Sequence, residues 1–245
     1  MKGIRGDQVE GRRAVRELLT AGRRRVRDVW LAEPPGTGSI DELADLAAAT
    51  GAAVHRVSAD ELDARARTET PQGVMASADP IDVDDLDTLL DGSDVFLVAL
   101  EGVTDPRNLG AVLRSAEGAG ATGVVLPRHR GVQITAAATK AAAGAIEHLR
   151  FATVGGIPAA LDRARRASVW TIGLDGSGET LLFDLALADQ PLMLVLGAEG
   201  DGLGRLARER CDALVRIPMV GQIESLNVAS AATLACYEVA RRRSG

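Results

Sequence analysis

Three stretches of the chain gather residue types that could do chemistry as well as build a scaffold. In residues 192–206 (LMLVLGAEGDGLGRL), five apolar residues run straight into Gly197, Gly200, Gly202 and Gly204, placed around Glu199 and Asp201. A short continuous apolar run ended by turn residues reads as a fully buried parallel strand. Its glycines permit φ > 0 and close approach of backbone to a ligand, and ligands of open α/β sheets sit beyond the carboxyl ends of strands. This stretch is expected to floor a small-molecule site, with Glu199 an acid held in a tight turn. Residues 101–120 (EGVTDPRNLGAVLRSAEGAG) open on the Asp105-Pro106 turn and continue as a helix over 107–119. Leu109, Val112, Leu113 and Ala116 form its buried stripe, while Arg107 and Arg114 stack on the opposite face. Residues 216–229 (RIPMVGQIESLNVA) join a strand end to a glycine-containing loop and a helix start, where Ser225 is the expected N-cap. The free N–H groups of such a helix start suit an anion or carboxylate.

Other chemistries fail on inspection. No Gly-Lys pair exists, so a phosphate-binding P-loop is excluded. The turn after 95–100 reads EGVTDPRNLG, and 197–202 reads G-x-x-G-x-G; neither is the dinucleotide fingerprint. No G-x-S-x-G elbow occurs. His55, His129 and His148 lack partners at ligand spacing, so no metal is expected. Cys211 and Cys236 imply no disulfide framework and fit a reducing compartment, each as a small buried apolar residue.

Composition narrows the class further. Hydrophobic residues at 46% and charged residues at 25% describe an ordinary globular protein. No secretory leader and no apolar run long enough for a membrane span is present, so the expectation is a soluble, unprocessed cytoplasmic protein. The net charge of −6 argues against a bulk polyanion binder, yet residues 1–30 hold nine bases against four acids. Only Lys2 and Lys140 are lysines, so nearly all positive charge is guanidinium, which grips phosphate bidentately. With aromatics at 2%, any RNA contact must rely on arginine more than on stacking. Arg12, Arg13, Arg23, Arg24, Arg25 and Arg107 are the candidate RNA-binding residues.

The elements that must position these groups divide in two. Residues 1–78 alternate helix (10–21, 40–50, 59–67) with strand (26–32, 53–57, 73–76), a small α/β domain that exposes its basic helix. Ser58-x-x-Glu61 is a capping box. Residues 79–94 carry seven acids and no base and read as an interdomain linker. From 95 to 245, strands at 95–100, 123–126, 149–154, 169–173, 192–196 and 213–217 alternate with helices. The pattern predicts a mostly parallel sheet with helices on both faces.

TDPRNLGAVLRSAEGAG, VLGAEGDGL and IPMVGQIESLNVASAA, in this order, resemble the three motifs of the SpoU (TrmH-type) RNA ribose 2′-O-methyltransferases of the SPOUT superfamily. VEGRRAVRELL, RRRVRDVWLAE and PQGVMA are similar to the small RNA-binding domain that precedes the catalytic one in ribosomal-RNA members. The nearest resemblance is to members that methylate a guanosine of large-subunit ribosomal RNA (23S rRNA). The resemblance implies an α/β fold whose C-terminal part forms a deep trefoil knot, preceded by a small L30e-like α/β domain. It also implies a homodimer and S-adenosylmethionine as donor. By motif position, Gly197, Ile217 and Leu226 should contact the cofactor, and Asn108, Arg114, Glu199, Ser225 and Asn227 fall on the functional polar positions. Ala229 stands where many members have Ser. For Arg114 two roles stay open: a transiently deprotonated base, or a cation stabilising a developing alkoxide and its phosphate. A tRNA substrate, or a relative that binds RNA without catalysis, is the alternative.

Overall fold

The structure is a computed structural model and describes residues 3–33, 39–128, 133–198, 200 and 202–244. The N-terminal unit is built from β1 (Gln8–Glu10), α1 (Arg12–Ala21), β2 (Val26–Glu33), α2 (Ser39–Ala49), β3 (Ala53–Ser58), α3 (Ala59–Arg65) and β4 (Val74–Ala78). Its sheet has the order β1-β4-β2-β3, with β4 antiparallel to both neighbours and β3 parallel to β2. Helix α1 buries the predicted stripe, Ala14, Val15, Leu18 and Leu19, and stops at Gly22 in the left-handed region. Ser58 caps α3 by accepting from the Glu61 N–H at 3.2 Å. Strand β1 was not anticipated, because three residues are too few to show a period.

The C-terminal unit comprises α4 (Leu86–Leu90), β5 (Phe96–Leu100), α5 (Pro106–Gly118), β6 (Gly123–Pro127), α6 (Ala136–Ala142), β7 (Phe151–Val154), α7 (Ile157–Arg166), β8 (Trp170–Leu174), β9 (Thr180–Leu181), β10 (Leu192–Leu196), α8 (Arg205–Arg210), β11 (Ala213–Arg216) and α9 (Val228–Arg243). Its seven strands are all parallel, in the order β7-β6-β5-β10-β8-β11-β9. Strand side chains alternate between two cores, as the period of two requires. Phe96, Val98, Leu100, Leu192, Leu194 and Leu196 face the core shared with α5 and α9. Leu97, Ala99, Met193 and Val195 face the core shared with α4, α7 and α8. Helices α5 and α6 touch through backbone: a Cβ added at Gly110 would lie 2.5 Å from the Ala138 carbonyl oxygen.

The acidic segment 79–94 is not a free tether. Ile81 pairs with Ile4 and enters one core, while Leu86, Leu89 and Leu90 of α4 enter the other. Asp84 bridges Ala152 beside β7, so the segment is strapped along the large sheet. Its carboxylates face arginines of that unit, including Asp84 with Arg150 and Asp85 and Asp87 with Arg163. Within the charge run, the spaced apolar set Leu86, Leu89 and Leu90 is buried by one short helix.

One buried ion pair joins the two units. Arg24, in the turn after α1, directs its guanidinium at Glu147, and both side chains are 4% exposed. Its Nε donates to Glu147 Oε2 at 2.9 Å, and its Nη1 to the carbonyls of Gly6 (2.8 Å) and Asp79 (3.0 Å). Arg23 Nη1 donates to the carbonyls of Glu147 and Leu149, and Glu17 meets His148 Nε2 at 2.9 Å. Arg24 is therefore corrected from an RNA-binding residue to an interdomain one, since a buried, fully partnered guanidinium cannot reach phosphate. Removing one partner of such a pair leaves an uncompensated buried charge, which costs about 3–5 kcal/mol. Arg24→Ala should lose stability on that scale in urea denaturation, and Arg24→Met combined with Glu147→Leu should recover most of it. An Arg24→Ala variant as stable as the native chain would contradict the assignment.

Candidate functional site

Strand β10 is buried on both faces and stops at Gly197 because the chain folds back upon itself there. Ala198 N donates to the Gly202 carbonyl at 2.9 Å and Gly202 N to the Ala198 carbonyl at 3.1 Å, closing a tight loop. A Cβ at Gly197 would stand 2.1 Å from the Gly202 carbonyl carbon, so no side chain fits. Gly200 and Gly202 adopt φ of +83° and +66°, the region that glycine enters without strain. The loop is tied to β5 through Glu101, whose backbone N donates to Leu196 O at 2.8 Å and whose Oε2 accepts from Gly204 N at 2.8 Å.

This loop floors a cavity of about 370 Å³ at the carboxyl ends of β8, β10 and β11. Gly197, Ser225, Ile217 and Leu226 line it together, with Leu174 and Val228 extending the apolar wall. Asp175 and Glu224 add carboxylates. Asp175 Oδ1 accepts from Ser177 N and Oγ (2.9 and 2.6 Å), and Oδ2 accepts from Arg208 Nε at 3.1 Å. Burial opposes its charge, but these hydrogen bonds and the Arg208 guanidinium hold its carboxyl below the ordinary aspartate range. The cavity thus offers bare backbone, aliphatic walls and charges of both signs, Arg208 lining it beside Asp175 and Glu224, suited to a flat, partly apolar ligand with charged ends. Sequence reasoning missed Asp175; its position just beyond the end of a parallel strand was the available signal.

The polar positions of the first and third motifs meet across two helix starts. Asp105 caps α5, accepting from Arg107 N at 2.6 Å. Asn227 caps α9, its Oδ1 accepting from Ala229 N at 2.8 Å, so Ser225 is corrected from N-cap to cavity wall. Residues 225–227 stay outside the helix, and the Asx side chain at 227 satisfies the first free N–H. Asn227 Nδ2 donates to Asn108 Oδ1 at 3.2 Å, and about two turns further along Ser115 Oγ lies 2.7 Å from Thr233 Oγ1. Ala229 leaves no hydroxyl at its own position, and Thr233 instead donates to its carbonyl at 2.8 Å.

Arg114 does not line this cavity. With Arg107 it faces a second cleft, which lies between the two units and is also lined by Arg12, Arg13, Arg67 and Lys140. Arg25 is exposed, while Arg23 and Arg24 belong to the interdomain joint. Glu199, Asp201 and His129 lie outside the described residues. Among the described residues no three His, Cys, Asp or Glu side chains converge as metal ligands, and no helix is long and apolar enough to cross a membrane.

Comparison with known proteins gives this geometry a family. The model of the SpoU rRNA Methylase family matches residues 95–237, and that for RNA 2′-O ribose methyltransferase substrate binding matches residues 8–83. The chain is 40% identical over 238 residues to the 23S rRNA (guanosine-2′-O-)-methyltransferase RlmB of a Burkholderia species, covering 96% of each protein. It is 37% identical over 243 residues to the RlmB of Pseudomonas aeruginosa, covering 97% of each. Among solved structures, the SpoU methyltransferase AviRb of Streptomyces viridochromogenes in complex with the cofactor AdoMet superposes with a TM-score of 0.81 at 29% identity. That match spans 97% of this chain and 91% of AviRb. The chain belongs to the SpoU rRNA methylase family.

Proposed function

We propose that this protein methylates the ribose 2′-hydroxyl of a guanosine in 23S rRNA, with S-adenosylmethionine as the donor. The observation that carries the reading is the glycine-floored cavity at the ends of β8, β10 and β11, joined through Asn227 and Asn108 to the helix that bears Arg114. The donor fits the residues present. Leu174, Ile217 and Leu226 would flank its adenosine, the backbone around Gly197 would meet its polar edges, and the Asp175 and Glu224 carboxylates would suit its positive charges. When bound, it supplies an electrophilic sulfonium methyl.

Positioning then contributes much of the rate, since a weak nucleophile held in line gains what diffusion would deny it. Asn108 and Asn227 fix the starts of α5 and α9 relative to each other and so orient Arg114. The Arg114 guanidinium stabilises negative charge developing on the 2′-oxygen and its adjoining phosphate as the hydroxyl proton leaves to solvent. Glu199 is assigned to the same polar set by motif position.

A homodimer completes the proposal. Helix α9 buries one apolar face yet leaves Leu234 and Tyr237 38% and 51% exposed, and the preceding loop leaves Val220 and Ile223 100% and 66% exposed. A helix apolar on both sides calls for cover on both sides. The strand order, with β10 between β5 and β8 and α9 packed back over α5, supports a trefoil-knotted chain path. The four-stranded N-terminal sheet supports an L30e-like unit, and an rRNA substrate supports a cytoplasmic location.

Arg114→Ala should abolish methyl transfer to a 23S rRNA transcript while calorimetry shows unchanged S-adenosylmethionine affinity; native turnover in this variant would refute the role. Sedimentation equilibrium should give a dimer for the native chain and a monomer for the Leu234→Asp, Tyr237→Asp double variant. A native monomer would remove the dimer from the account.

A further inference from the structure

The interdomain cleft gathers exposed guanidiniums on one surface. Several arginines outside it are matched to acids: Arg16 to Glu42, Arg65 to Glu61, Arg165 to Asp212 and Arg210 to Asp162. Arg13, Arg67, Arg107 and Arg114 are exposed, and among the described residues no carboxylate meets any of their guanidinium groups. All four line one cleft of about 790 Å³, together with Arg12 and Lys140. Only two acids, Glu10 and Glu69, share the lining. Glu10 is fully buried and its charge is absorbed locally. It accepts from Arg67 N (2.7 Å), Thr68 N (3.1 Å), Gln8 Nε2 (2.8 Å) and the Thr68 hydroxyl.

Those same bonds give the cleft a fixed wall. Glu10 holds the backbone of residues 67–68 from the N-terminal side, and Lys140 Nζ of α6 donates to the Thr70 carbonyl and hydroxyl from the other. Gln72 accepts from Arg12 N at 3.1 Å. The loop that carries Arg67 is thus bolted between the two units. Arg67 and Ala137 also line an adjoining cavity of about 440 Å³ that contains Arg5 and Asp7. The floor is small, made of Gly11, Ala137, Ala141 and Ala143, and no aromatic ring lines either cavity.

We infer that this cleft holds the phosphodiester backbone of the unpaired RNA segment flanking the target nucleotide. Arg13 and Arg67 grip successive phosphates from the N-terminal wall, and Arg107 grips from the catalytic wall, leading the strand to Arg114. The inference rests on the reading above that the substrate is RNA, and it names how that substrate is held. Unpartnered guanidiniums gathered in one cleft of a chain of net charge −6 concentrate attraction for phosphate there. With no ring for base stacking, the cleft reads backbone and shape, not base identity. A cleft between two packed units admits a single strand; paired RNA would present its ribose edges only across a wide, shallow groove.

The test uses the full-length protein and a 23S rRNA transcript, comparing Arg13→Ala, Arg67→Ala and the double variant with native protein and with Arg16→Ala, whose guanidinium is paired outside the cleft. Each cleft substitution should weaken RNA binding by about tenfold and reduce the slope of log K against log salt by about 0.7. Transfer at saturating RNA and S-adenosylmethionine affinity should be unchanged, so the loss appears in KM and not kcat. A double variant with native RNA affinity and salt slope, in a protein that does methylate RNA, overturns the cleft and leaves the function standing. Failure of the native protein to bind or methylate RNA overturns both.

Discussion

The arrangement depends on one steric fact: the backbone of Gly197 lies against the backbone of Gly202, at a distance no Cβ could tolerate. That contact ends β10 abruptly and turns its carboxyl end into a surface of exposed peptide groups. Because β10 lies between β5 and β8 in the sheet, the loop it creates is walled by neighbours on both sides. Glu101 from β5 holds the loop through its side chain and backbone, and Asp175 from beyond β8 borders the cavity opposite. Strands whose cores lie above and below the sheet are thereby brought to bear on one small volume.

A second constraint works at longer range. The Arg24–Glu147 pair is sealed from water and satisfied by carbonyls on the Arg24 side, so the N-terminal unit has one favoured seating on the catalytic one. A buried pair of this kind adds little net stability over apolar packing but penalises every misaligned arrangement. Its consequence lies one helix away, where α1 and the 67–72 loop face α5 across the basic cleft. The Asn108–Asn227 bond is the hydrogen bond linking that helix start to the cavity's own helix.

Much of this was legible in the chain. The apolar run 192–196, the glycines after it and the stripe Leu109–Val112–Leu113–Ala116 are local patterns whose burial follows from sheet and helix periodicity alone. Gly197, Ile217 and Leu226, expected from motif position to contact the cofactor, all line one cavity in the structure. What stayed hidden depended on contacts between residues far apart. Arg24 resembles its neighbours Arg23 and Arg25 in sequence, and only Glu147, more than a hundred positions away, distinguishes it. Ser225 and Asn227 are both good caps, and the choice fell to Asn227 because its amide also reaches Asn108. The acidic run 79–94 shows its charges plainly, while the burial of its Leu86, Leu89 and Leu90 depends on strands and helices distant in sequence.

The central claim is that cavity and cleft together deliver a methyl group to a ribose oxygen. Incubating the native protein with unmodified 23S rRNA and methyl-labelled S-adenosylmethionine, then digesting to nucleosides for mass spectrometry, tests it directly. The account predicts label in 2′-O-methylguanosine alone. Label on a nucleobase, or none in RNA while the donor is bound, would contradict it.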